Sequence, residues 1–130
     1  METEIVLTKK EKDAKEIIME SAANKDLILV CGGDGTLNEV VTAMIEKNLT
    51  DISLSFVPMG TTNDLAKTLD MPTKDISITK KLLETKAKRI DIGKWDKNKY
   101  FCYVAAFGVI TDVSYSTSQE AKHRYGRLAY

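Results

Sequence analysis

Five consecutive residues, Gly32-Gly33-Asp34-Gly35-Thr36, carry the most legible chemistry of this chain. They follow an apolar run, Leu27-Ile28-Leu29-Val30-Cys31, and open an amphipathic pattern over residues 37–45. A strand that ends in glycines and feeds a helix makes a place for phosphate. Glycine lets the backbone adopt positive φ and come close to a ligand. Successive N–H groups then converge on an anion, with the positive end of the helix behind them. Three glycines in four residues exceed what a tight turn needs. An aspartate in such a loop repels phosphate directly, so Asp34 is expected to act through Mg²⁺ or an ordered water. A second loop, Pro58-Met59-Gly60-Thr61-Thr62-Asn63-Asp64, follows another strand-like run. In an open α/β sheet, ligands bind outside the carboxyl ends of the strands. The two loops are therefore expected to face one crevice, with Asp34 and Asp64 on the same side. Asp91, on the next strand-like run, is expected to approach the same edge.

The elements that must position these residues alternate. Residues 4–8 read as a short strand. Residues 11–23 place Ala14, Ile17, Ile18 and Ala22 on one helical face. Residues 27–31 read as a strand buried on both faces of a parallel sheet. Leu37, Val40, Val41, Met44 and Ile45 follow helical spacing, residues 52–57 form the next strand, and residues 63–69 a short helix stopped by Pro72. Another helix is expected over residues 75–86. Strand, helix, strand, helix, strand, helix implies right-handed βαβ crossovers, an α/β fold with a doubly wound parallel sheet. Two strand-like runs, 89–95 and 99–107, then surround Asp96-Lys97-Asn98 as a hairpin. The change of pattern places an expected domain boundary near residues 86–88, with an α/β domain over residues 1–87 and a second domain beginning within residues 88–130.

Composition narrows the classes of function. The 130 residues are 43% hydrophobic and 29% charged, an ordinary globular balance. Lysine plus arginine and aspartate plus glutamate both number 19, so there is no broad electrostatic grip for nucleic acid. Cys31 and Cys102 lie in apolar runs and read as small buried hydrophobes of a reducing compartment. No cysteine–histidine cluster suggests zinc, and His123 is the single histidine. No signal peptide is visible, and the longest uncharged apolar-rich run falls far short of the ~20 residues of a membrane span. A cytoplasmic protein is expected.

The usual nucleotide fingerprints, G-x-x-x-x-G-K-[ST] and G-x-G-x-x-G, are absent. What is present is Gly32-Gly33-Asp34-Gly35-Thr36-Leu37-Asn38-Glu39-Val40-Val41 and Pro58-Met59-Gly60-Thr61-Thr62-Asn63-Asp64-Leu65-Ala66-Lys67. Together these resemble the diacylglycerol kinase catalytic-domain family, which includes bacterial diacylglycerol kinases and sphingosine kinases. Arg89-Ile90-Asp91-Ile92-Gly93 and Tyr125-Gly126-Arg127-Leu128-Ala129-Tyr130 resemble the start of that family's β-rich second domain. The resemblance implies a lipid kinase that moves the γ-phosphoryl group of ATP to a lipid hydroxyl such as that of diacylglycerol. It implies ATP phosphates against Gly32, Gly33, Gly35, Thr36, Gly60, Thr61 and Thr62, and hydrogen bonds to the nucleotide from Thr36 and Asn63. Asp34, Asp64 and Asp91 become the catalytic and Mg²⁺-organising candidates. Peripheral contact with a membrane would suit such an enzyme, and Lys122, His123, Arg124 and Arg127 form a small basic cluster that is either a solvated face or that contact.

Departures from the family pattern accompany the match. Nothing like its opening Asn-Pro…Gly strand precedes Glu4, and its general base and most of its lipid-facing surface would lie beyond Tyr130. The chain is thus expected to be a fragment, weak or inactive by itself. Simpler readings stand beside the chemical ones. Thr36-x-x-Glu39 is also a capping box, and Asp64 reads equally as a helix cap. An NAD kinase-type small-molecule kinase would share the first glycine loop. A truncated module that holds nucleotide or forms a homodimer through exposed sheet edges is the alternative without catalysis.

Overall fold

The computed structural model describes residues 2–71, 84 and 86–105. Helix α1 spans Asp13–Ser21 and runs into a 3₁₀ turn at Ala22–Asn24. Strand β1, Leu27–Gly32, leads through Gly33 into helix α2, Asp34–Glu46. Strand β2, Ser53–Pro58, leads through residues 59–63 into helix α3, Asp64–Thr68. Strands β3, Gly93–Asp96, and β4, Lys99–Phe101, close the described part as an antiparallel hairpin. The helix expected over residues 75–86 falls largely outside the described residues, as do residues 106–130 with the basic cluster.

β1 and β2 pair in parallel from Leu27↔Ser53 to Gly32↔Pro58. The crossover between them is α2, so the predicted βαβ unit is present. The ladder extends one bond further, where the Met59 amide donates to the Gly32 carbonyl at 2.7 Å. Both strands therefore end level, and the two loops leave the sheet side by side.

The core gathers on one face of this pair. Ala14, Ile18 and Ala22 of the first helical segment meet Ile28, Val30 and Phe56 of the strands and Leu37, Val40, Val41, Ala43 and Met44 of α2. Leu65 and Ala66 of α3 complete it. Alternation along β1 corrects the expectation of a strand buried on both faces: Ile28 and Val30 are buried, whereas Leu27, Leu29 and Cys31 are exposed. Residues 4–8, expected as a strand, belong to no strand, and Ile5, Val6 and Leu7 are exposed. A strand is completed by a partner that pairs its backbone groups, and neither β1 nor β2, which pair only with each other, is paired with this segment.

The hairpin is shorter than its apolar pattern suggested. Gly93 pairs with Phe101 and Lys94 with Tyr100, and a register shift follows before Asp96 meets Lys99. The Phe101 ring lies over Gly93 and occupies the space a β-carbon would need. The Lys94 ammonium sits 5.6 Å from the centre of the Tyr100 ring.

Candidate functional site

Gly33 and Gly60 meet where the two loops leave the sheet. A β-carbon on Gly60 would stand 2.5 Å from Gly33 Cα, and one on Gly33 would stand 3.2 Å from Gly60 Cα. Close approach of two backbones, rather than positive φ, is what these glycines supply. Gly33 itself has an extended backbone, φ −96° and ψ −178°, that any residue can adopt. Gly32 ends β1, and a β-carbon there would press on the Thr36 side chain at 3.0 Å. Gly35 differs, for nothing lies within 4 Å of its missing β-carbon. Space is therefore open beside the first turn of α2, where helix geometry leaves amide groups without partners and the dipole is positive.

Asp34 is the first residue of α2, and its carboxylate joins the loops. Oδ2 accepts from the Thr62 hydroxyl at 3.2 Å and from the Asp64 amide at 3.1 Å. Oδ1 accepts from the Leu65 amide at 3.4 Å. The two amides belong to the first turn of α3. Asp34 thus caps a helix that begins far away in sequence, and the negative charge faces two helix N-termini, where it is stabilised. Asp64 does not cap with its own side chain; its carboxylate lies 3.3 Å from the Lys67 ammonium.

Asn63 shapes the second loop from inside. It is 8% exposed, with φ 51° and ψ 51° in the left-handed region, which asparagine tolerates better than most residues. Its Oδ1 accepts from the Gly60 amide at 2.8 Å, and its Nδ2 donates to the Gly60 carbonyl at 2.7 Å. The side chain expected to meet a nucleotide is instead occupied in closing the loop. Thr61 is exposed beside it, and Thr62 is half-buried against Asp34.

Two expectations need correction. Thr36 and Glu39 form no capping box, because α2 begins at Asp34 with Gly33 as its N-cap residue. Glu39 Oε1 accepts from the Lys12 amide at 3.2 Å, at the start of α1. The three aspartates do not assemble either. Asp91 is exposed two residues before β3, outside any strand, and among the described residues no three acidic, cysteine or histidine side chains are grouped to hold a metal ion. The sequence places Asp91 near the edge only if its strand begins earlier than it does.

Asn38, one turn beyond Asp34 on α2, has contacts that sequence reasoning missed. Its Nδ2 donates to the Tyr100 carbonyl at 3.2 Å, and the Cys102 thiol approaches its Oδ1 at 3.5 Å. These contacts cross sequence separations of 62 and 64 residues, so no local pattern announces them. Burial, and after it the negative charge of Asp34, pushes the Cys102 thiol up to about 11.

The family model of the diacylglycerol kinase catalytic domain matches residues 1–95. A diacylglycerol kinase of Staphylococcus saprophyticus is 40% identical over 130 residues, covering 99% of this chain and 42% of the relative. One from Staphylococcus carnosus is 39% identical over 131 residues, with the same coverage of 99% and 42%. One from Staphylococcus aureus strain JH9 is 40% identical over 107 residues, covering 82% of this chain and 33% of the relative. The chain thus spans about two fifths of the length of the first two of these relatives. No solved structure matches it significantly.

Proposed function

Because this chain belongs to the diacylglycerol kinase catalytic-domain family, we propose that it forms the nucleotide-binding part of an ATP-dependent lipid kinase. The observation that carries this reading is the contact of Gly33 with Gly60 at the level ends of two parallel strands. It makes one rim out of two loops, with the open first turn of α2 behind it. Phosphoryl transfer asks a protein chiefly to position the phosphates and to stabilise their charge. The α2 amides and the Thr36 and Thr61 hydroxyls are groups of the right kind at that rim, while the Thr62 hydroxyl donates to Asp34. Asp34 and Asn63 hold the rim in shape.

Mg²⁺ is the cation this reading implies, and when bound it neutralises charge on the triphosphate. Asp34 and the neighbouring Asp64 are the described carboxylates near the junction of the loops, so phosphate oxygens and water would supply most of the cation's ligands. The acceptor in this reading is a lipid hydroxyl, with diacylglycerol as the example that the relatives' names support. The doubly wound sheet, a β-rich second domain from residue 88, a cytoplasmic location and peripheral contact with a membrane belong to the same proposal. No described helix is long and apolar enough to cross a membrane.

Labelled γ-phosphate tests it. The full-length protein containing this chain is expected to move label from ATP to diacylglycerol in mixed micelles, and to lose that transfer with Gly60→Ala. Label in NAD instead of lipid would replace this reading with a small-molecule kinase. Label in neither would reject it.

A further inference from the structure

Asp34 and Asn38 lie four residues apart on α2 and so share one face of the helix. The first side chain holds the second glycine loop, and the second holds the hairpin. Asn38 spends both ends of its amide there, one on the Tyr100 carbonyl and one on the Cys102 thiol. Ile92 and Cys102, on either side of the hairpin, pack against the central core. Cys102 directly follows β4 and meets Asn38 one turn from Asp34, so the strand end and the loop junction are neighbours. We infer that Asn38 is a positioning residue: it fixes β4 to the helix that opens at the first glycine loop, and so sets the position of the hairpin relative to the nucleotide rim.

The inference rests on the kinase reading for its effect on rate, but not for its effect on the joint. A neutral amide suits the position because the Tyr100 carbonyl needs a donor while the thiol needs an acceptor. Alanine supplies neither. It leaves the core untouched, since Asn38 is only half-buried. A small displacement of two aligned parts lowers the rate of transfer while binding of each part survives.

Asn38→Ala in the full-length protein separates these effects. The rate of modification of Cys102 by a thiol reagent, read from its own peptide by mass spectrometry, is expected to rise at least fivefold. The kcat for diacylglycerol phosphorylation is expected to fall about tenfold, with ATP affinity within twofold of the parent. Cys102→Ser keeps a donor toward Asn38 and is expected to retain most of the kcat. Unchanged Cys102 labelling would overturn the joint. An ATP affinity that falls as far as kcat would overturn the positioning role by moving Asn38 into the nucleotide site. If the parent protein phosphorylates no lipid, the kinase reading fails, and the labelling result alone decides whether Asn38 holds the hairpin.

Discussion

A β-carbon at Gly60 would stand 2.5 Å from Gly33 Cα and 2.8 Å from Oδ1 of Asn63. Neither neighbour can retreat cheaply, since one is backbone and the other is already hydrogen-bonded to the same loop. Gly60→Ala is therefore expected to lower stability by about 1–3 kcal/mol, the usual cost of overpacking, in urea denaturation. Gly35→Ala is its counterpart. Open space surrounds the added methyl, and alanine is favoured over glycine within a helix by up to about 1 kcal/mol. The melting temperature should hold or rise while ATP affinity, measured by calorimetry, falls. A fall in stability instead would mean that Gly35 serves the fold and not a ligand. Cys102 adds a dependence on pH. Its folded pKa of about 11 lies above the ordinary thiol value near 9. The folded state therefore keeps a proton that the unfolded state releases. The associated stability is whole below about pH 9 and disappears as pH rises toward 11. The stability of the parent relative to Cys102→Ser, compared by thermal melts, should decline across that window.

At the scale of elements, α2 does most of the joining. Its buried stripe of Leu37, Val40, Val41 and Met44 meets the sheet and α1, while its polar residues reach the ends of three other elements. Asp34 serves the start of α3, Glu39 the start of α1, Asn38 the hairpin, and Glu46 pairs with Lys15 of α1 at 2.7 Å. The last pair is partly exposed, so it orients α1 more than it stabilises it. Leu37 is 2% exposed in the first turn of α2, beside the first glycine loop. Leu37→Ala is expected to cost about 2–5 kcal/mol in denaturant unfolding, the range of buried leucine truncations. A cost below 1 kcal/mol would show that the core under the loop is loose.

Across the whole molecule, the described sheet has two parallel strands with one face in the core and Leu27 and Leu29 exposed on the other. Ile5 and Leu7 are exposed as well, in a segment that pairs with no described strand. Unpaired edges and exposed apolar side chains favour association. The homodimer proposed from sequence predicts that light scattering of the 130-residue chain gives a mass that rises with concentration, and that Leu29→Lys lowers it. A monomer at all concentrations would reject it.

Much of this arrangement was legible in order along the chain. Apolar runs of strand length, helical spacing after each glycine loop and the turn at Asp96–Asn98 are local signals, and β1, α2, β2, α3 and the hairpin appear where those signals stand. The match of the two glycine motifs to a kinase family likewise needed nothing but residue order. What the loops do with their side chains was decided in three dimensions. Asp34 became a cap for α3, Asn63 a clamp on Gly60, Glu39 a partner of Lys12, and Asp91 stayed apart from the other two aspartates. Hydrogen bonding depends on ångströms and angles between segments distant in sequence. A one-dimensional pattern records which groups are available and how they repeat, and only packing decides which of them meet.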